Sequence, residues 1–368
     1  MLRMKFSLAQ SAGGGAVPFT PYQGANYGWM MSGPVGGTNQ YFSFASMSAT
    51  ASTTPQPQWR KPTPNANQPG PYYGYLKEAG TGAGSDKGYV IGGFISPPSQ
   101  QNSLTSIDSY PFATGTISVS PRTMNREIYS THQEPIGNRT YIYNAGGMDM
   151  PAAYLPSYFV NHISKFPNAL NANSTDVGDL VTTLSGSAGH SSETHGYITG
   201  GYGVAPTSGY NPDGIGTAPG PSGYPGTPSP GPVNFPFNNK IQKWPFSSDT
   251  NSSNIGDLNT KSRYPGGASS GIAGYNAGGR TPQSPHGSRI GKTIDKFPFA
   301  TDANASNIGD LSASSAGSVS GWSSQTHAYF SPGSGSAIET VPFASDSSAS
   351  VSSISTSPRN SGMANSQS

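Results

Sequence analysis

The sequence predicts an all-β chain, a six-bladed β-propeller with long Pro/Gly-rich loop insertions. Three observations predict it. One phrase recurs: ISKFPNALNANSTDVGDL from Ile163, IQKWPFSSDTNSSNIGDL from Ile241 and IDKFPFATDANASNIGDL from Ile294. An aromatic precedes the first member of a small closing pair by three residues at Trp29, Tyr89, Tyr143, Tyr197, Tyr275 and Tyr329, in steps of 60, 54, 54, 78 and 54. The 368 residues hold 49 Gly and 34 Pro, a level that suggests disorder, yet 11% are aromatic and the Gly pairs keep register. A disordered chain has no reason to keep register, whereas stacked blades of about 50 residues do.

Taken in order, residues 1–23 read as an N-terminal arm or a first inner strand, and residues 24–354 as the propeller. Residues 4–8 are a candidate for pairing with the final blade. Each unit reads as four short strands. In the last unit these fall near 316–322, 327–331, 337–342 and 349–354, lengths ordinary for strands joined by polar turns. A second landmark, Ile-x-x-aromatic-Pro-Phe-Ala, confirms the count. It occurs at 107–113, in degenerate form at 163–169, then at 241–247 and 294–300, at 338–344 with Val341 for the aromatic, and weakly at 41–45. The Gly pairs suit positive φ or crowded backbone. The long steps contain insertions at about 54–86 and 202–239. Residues 355–368 are Ser-rich, offer little apolar surface beyond Met363, and read as a flexible tail.

The order of a strand ending Gly-Gly, a strand opening I-D-x-F-P-F, then G-D-L, a Ser/Gly-rich strand and Thr-His-x-Tyr resembles kelch and galactose-oxidase-type propeller repeats over residues 24–354. The wording IDKFPFATDANASNIGDL and THGYITGG resembles repeats of structural proteins of marine bacteriophages. That resemblance implies a non-enzymatic virion protein (tail, fibre or capsid-associated), assembled in the host cytoplasm. It also implies other virion proteins as partners in a larger oligomer, with host-surface attachment as a further role.

A net charge of +2, with its sign concentrated nowhere obvious, gives little support to nucleic-acid binding, and no nucleic-acid partner is expected. There is no Cys, so no thiol chemistry and no crosslinked copper centre of the galactose-oxidase type. The start lacks the unbroken apolar core of a signal peptide, and no apolar run approaches the ~20 residues of a membrane span, so no membrane insertion is expected. The turns around Asp302, Asn304 and Asp310, and around Asp249, Asn251 and Asp257, carry ligands that hard cations favour. They lack the Gly and Glu of a complete calcium loop, Asn171 and Asn173 have lost the charge, and Asx-turns account for them without metal. His195 and His327 occupy equivalent places and read as hairpin histidines bonded to their own turns. No sialidase-type repeat, glycosidase acid pair or nucleophile motif occurs, so neither cofactor nor catalysis is expected.

The insertions are the candidate binding elements. One carries Tyr202, Tyr210, Tyr224, Phe235 and Phe237; the other and its flank carry Trp59, Tyr72, Tyr73 and Tyr75. Tyr and Trp among Gly and Ser make adaptable contact surfaces at low entropic cost. One insertion joins second to third strand within a blade and the other links two blades, so both leave the same face. Beside the structural role stand two alternatives: a lectin-like module reading host glycans and, less favoured, an enzyme acting on polysaccharide.

Overall fold

The computed structural model describes residues 23–24, 27–31, 38–55, 80–83, 87–95, 102–111, 122–128, 134, 136–149, 158–169, 171–203, 216–217, 237–283, 288–312, 318–332, 337–354 and 363–366. Among these there are strands and turns and no helix. Small antiparallel sheets are set out as a β-propeller. Five are complete four-stranded meanders, each from one continuous stretch. The second unit has Gly80–Ala83, Lys87–Ile91, Asn102–Pro111 and Thr123–Ile128. The third has Ile136–Gly137, Tyr141–Ala145, His162–Pro167 and Thr175–Asp179. The fourth has Ala188–Ser191, His195–Thr199, Lys240–Pro245 and Ser253–Asp257. The fifth has Gly266–Ser269, Ala273–Ala277, Thr293–Pro298 and Ser306–Asp310. The sixth has Val319–Ser324, His327–Pro332, Ala337–Pro342 and Ser350–Ile354.

The first unit departs from the expectation of six alike blades. It supplies only Tyr27–Met31, Thr38–Ser43 and Ser48–Pro55, and its inner strand is Met363–Ser366, antiparallel to Tyr27–Met31. The C-terminal stretch, expected as a flexible tail, therefore completes a sheet over those four residues. Without it the backbone of Tyr27–Met31 would be an open edge, and backbone pairing asks little of the side chains that cover it. Gln23–Gly24 pairs in parallel with the sixth unit's inner strand at Ser323 and Ser324. Residues 4–8 lie outside the described residues.

The core consists of layers between blades, and the sequence landmarks are the groups that build them. In four of the units the landmark tyrosine packs on the phenylalanine at the Pro-Phe place of the next unit, which in the first unit is Phe44 after Ser43. Tyr143 meets Phe246 at 4.8 Å, Tyr197 meets Phe299 at 4.6 Å, Tyr275 meets Phe343 at 5.0 Å and Tyr329 meets Phe44 at 5.0 Å. In the degenerate third unit Asn168 stands at that place. Tyr89 packs instead on Phe166 and donates its hydroxyl to the Asn168 side chain at 2.7 Å. The Tyr329–Phe44 contact sets the last unit beside the first.

The third strand of each of the last four units shifts register after Ile163, Ile241, Ile294 or Ile338. Opposite this bulge in the third to fifth units lies the Gly of Gly-Asp-Leu, which must be small because the next unit's turn presses on it. A Cβ at Gly256 would sit 2.4 Å from the Ala303 carbonyl oxygen.

At the axis the inner strands touch in cyclic order, with Met363–Ser366 lying between Val319–Ser324 and Gly80–Ala83. Serines link neighbours: Gly137 N–H donates to Ser191 Oγ, Ser191 N–H to Ser269 Oγ and Ser269 N–H to Ser323 Oγ. Glu134, which is buried, reaches into this ring. Its Oε2 accepts from Gly189 N–H at 3.0 Å, and its Oε1 from Gly267 N–H at 2.8 Å and Gly321 N–H at 3.3 Å. One carboxyl thus ties three successive blades.

Candidate binding face

Antiparallel strands alternate direction, so each blade has two rims. The first-to-second and third-to-fourth turns leave one. The Gly-pair connections and the links to the next blade leave the other.

The Asp/Asn turns lie on the first rim, where they act as clamps between blades. Lys165 pairs with Asp249, Lys243 with Asp302, and Lys296 with Asp346 at 2.6 Å, each lysine reaching into the following unit. Where the lysine is lost the acid is lost too: Ser109 precedes Asn171, and Thr340 precedes Met47. The asparagines cross the same seams, Asn251 Oδ1 accepting Asp179 N–H at 3.0 Å and Asn304 Oδ1 accepting Asp257 N–H at 2.9 Å. Own-turn Asx bonds occur at other places, Asn307 Oδ1 accepting Gly309 N–H and Asp176 Oδ1 accepting Gly178 N–H. The Thr-His pairs behave as hairpin groups, with Thr194 Oγ1 2.8 Å from His195 Nδ1 and Thr326 Oγ1 2.8 Å from His327 Nδ1. Burial lowers both imidazoles, and the nearby Lys243 lowers His195 further. His162 Nδ1 lies 2.8 Å from Asp176 and 3.6 Å from Asp179. Among the described residues no group of three or more His, Cys, Asp or Glu is disposed to hold a metal ion.

The second rim carries the insertion ends. Gly146, Gly147, Gly200 and Gly201 have φ of 66°, 112°, 64° and 90°, left-handed values that favour glycine. The second glycine ties each connection to the link beyond its own blade. Gly147 N–H donates to Leu184 O at 2.6 Å and Gly201 N–H to Ser262 O at 2.7 Å. One insertion runs between His195–Thr199 and Lys240–Pro245, the other between Ser48–Pro55 and Gly80–Ala83. Both therefore arise from this rim, as the strand order requires.

Of the candidate contact residues, Trp59, Tyr72, Tyr73, Tyr75, Tyr210, Tyr224 and Phe235 lie outside the described residues. Tyr202 and Phe237 form the insertion's neck, joined by an antiparallel bridge. Tyr202 does not present itself for contact: it is 9% exposed, edge-on to Phe159 and Tyr264, and its hydroxyl lies 2.9 Å from that of Tyr264. Phe237 is half-buried. The group that sequence reasoning missed is Arg263. Its guanidinium carbon stands 5.4 Å from the Tyr202 ring centre, 5.1 Å from Phe237 and 5.8 Å from Tyr264. Its Nε is buried and has no hydrogen-bond partner among the described residues. A lone Arg in the degenerate link between two repeats carries no spacing signal. Its geometry comes from the Arg263–Arg280 bridge, which docks one link on the next connection.

No protein-family model and no curated protein matches this chain.

Proposed function

We propose that this chain is a six-bladed, kelch-like propeller serving as a non-enzymatic structural protein of a bacteriophage virion, tail, fibre or capsid-associated, and gripping neighbouring subunits through its insertions. The sheet completed by Met363–Ser366 is its sixth blade, since Tyr329 packs on Phe44 as Tyr143, Tyr197 and Tyr275 pack on Phe246, Phe299 and Phe343. One observation carries the reading. The buried carboxyls of Glu134, Asp295 and Glu339 each accept backbone N–H groups of other units: Gly189, Gly267 and Gly321 for the first, Asn259 and Thr260 for the second, Ser312 for the third. Side chains that an enzyme would aim at substrate serve here to lock blades into a rigid body, which is what a platform requires. Resemblance of the repeats to phage structural proteins adds the setting. Quantitative mass spectrometry of purified particles tests it. The chain at fixed stoichiometry supports the platform; a chain found only free in the lysate overturns it.

A glycan-binding module is the second reading, favoured by the aromatic content of the insertions. It predicts glycan-array signal that Trp59→Ala or Tyr210→Ala removes.

A further inference from the structure

Charge is sparse in this chain but not evenly sown. Between Asp257 and Asp295 there are Lys261, Arg263, Arg280, Arg289 and Lys292 and not one Asp or Glu. The fold gathers these cations onto the insertion-bearing rim. Lys261 and Arg263 lie on the link from the fourth to the fifth unit. Arg280 and Arg289 lie on the small hairpin Arg280–Pro282 with Ser288–Ile290, and Lys292 follows it. Reciprocal N–H···O bonds of 2.9 and 2.8 Å between Arg263 and Arg280 join link to hairpin, so the two cation-bearing segments share one surface. Lys261, Arg280, Arg289 and Lys292 are exposed, and Arg263 is half-buried. No carboxylate among the described residues lies within ion-pair distance of Lys261, Arg263, Arg289 or Lys292. The nearest acid in sequence, Asp257, is held by Lys240 at 2.7 Å, and Asp295 is buried against Asn259 and Thr260. Lys165, Lys243 and Lys296 pair with acids across blade seams, whereas Lys261, Arg263, Arg289 and Lys292 have no such partner among the described residues.

We propose that the link 258–265, the hairpin strands Arg280–Pro282 and Ser288–Ile290, and Lys292 form a binding face for an anionic polysaccharide, one bearing carboxylate or sulfate groups along its chain. Guanidinium forks donate to the oxygens of such groups in two-point contacts, and exposed lysines add unspecific attraction along the polymer. The aromatic rings beside Arg263 argue for sugar over nucleic acid. Single-stranded nucleic acid needs free aromatic faces for its bases, and here Arg263 itself lies against Tyr202, Phe237 and Tyr264. The proposal goes beyond the platform reading and does not depend on it.

The test is calorimetric titration of the full chain with a galacturonate octasaccharide, its neutral galactose counterpart and single-stranded oligothymidylate, at about 50 and about 200 mM NaCl. The expected result is binding of the galacturonate oligomer alone, weakened about tenfold or more at the higher salt, as cation-mediated contacts require. The triple variant Lys261→Gln, Arg289→Gln, Lys292→Gln alters only exposed side chains. It is expected to keep the wild-type melting temperature and to lose about tenfold or more in affinity. Arg263→Lys, which keeps the charge but loses the fork, is expected to weaken binding at both salt concentrations. Any of three results overturns the proposal: no galacturonate binding by the wild type, equal binding of the neutral oligomer, or unchanged affinity in a folded triple variant. Tighter binding of oligothymidylate overturns it in favour of nucleic acid.

Discussion

Replacing Glu134 with Gln removes an ionisable group from the meeting point of three blades. Burial pushes its carboxyl from 4.5 up to about 8, against the opposing effect of the N–H groups of Gly189, Gly267 and Gly321. His190, which follows the Gly189 that Glu134 binds, has its ring nitrogens held by Ala268 O at 3.1 Å and Thr199 Oγ1 at 2.9 Å. A raised acid pKa means that the folded chain keeps a proton which the unfolded chain releases. The contribution of Glu134 to stability is therefore greatest below about pH 4.5, falls as pH rises to about 8, and is level beyond. At 1.36 kcal/mol per pH unit, the interval from 4.5 to about 8 amounts to at most about 5 kcal/mol. The assay is urea unfolding of both proteins at steps across that range. Other shifted groups, among them Asp179, Asp295, His195 and His327, are common to both, so the difference between the curves isolates Glu134. The wild type is expected to lose stability relative to Glu134→Gln as pH rises. A difference that stays flat with pH would refute the reasoning, because Glu134 would then be ionised in the fold as it is in the unfolded chain.

Double-mutant cycles on Lys243 and Asp302, both on the surface, are expected to give a coupling of about 0.3–1 kcal/mol, and the same for Lys296 with Asp346. Gly321→Ala would place a Cβ 1.9 Å from the Gly267 carbonyl oxygen, with no flexible side chain to yield; thermal melts are expected to show a loss of roughly 3 kcal/mol or more. Val341→Phe puts an aromatic opposite Ala328, where the other strands set Gly196 against Trp244 and Gly274 against Phe297. Alone it is expected to cost about 1–3 kcal/mol, and Ala328→Gly in the same chain is expected to restore part of that loss.

Much of this was written in the repeats. For the sixth unit the sequence places strands at 327–331 and 337–342, and the fold has His327–Pro332 and Ala337–Pro342. The inner strand, expected at 316–322, is Val319–Ser324, residues 316–317 lying outside the described residues; its far end was missed because both faces of an inner strand touch protein and no alternation marks its ends. The clamps across the seams were present as a correlation, lysine in one unit with aspartate in the next, but the Asp/Asn turns alone point equally to their own hairpins. Met363–Ser366 was not readable, since a strand that pairs through its backbone needs no apolar pattern, and the choice of Tyr27–Met31 as partner is made by ring closure over more than three hundred residues. Glu134 and Arg263 are lone charged residues outside any repeat, so nothing in their spacing announces that blades converge on them.

Closure is best tested by a disulfide. The chain has no Cys, and Met30 is the backbone partner of Ala364. Met30→Cys with Ala364→Cys is expected, on mild oxidation of dilute protein, to give an intramolecular crosslink that shifts the monomer band on a non-reducing gel. Free thiols, or crosslinks only between chains, would contradict a propeller whose two ends meet in one sheet.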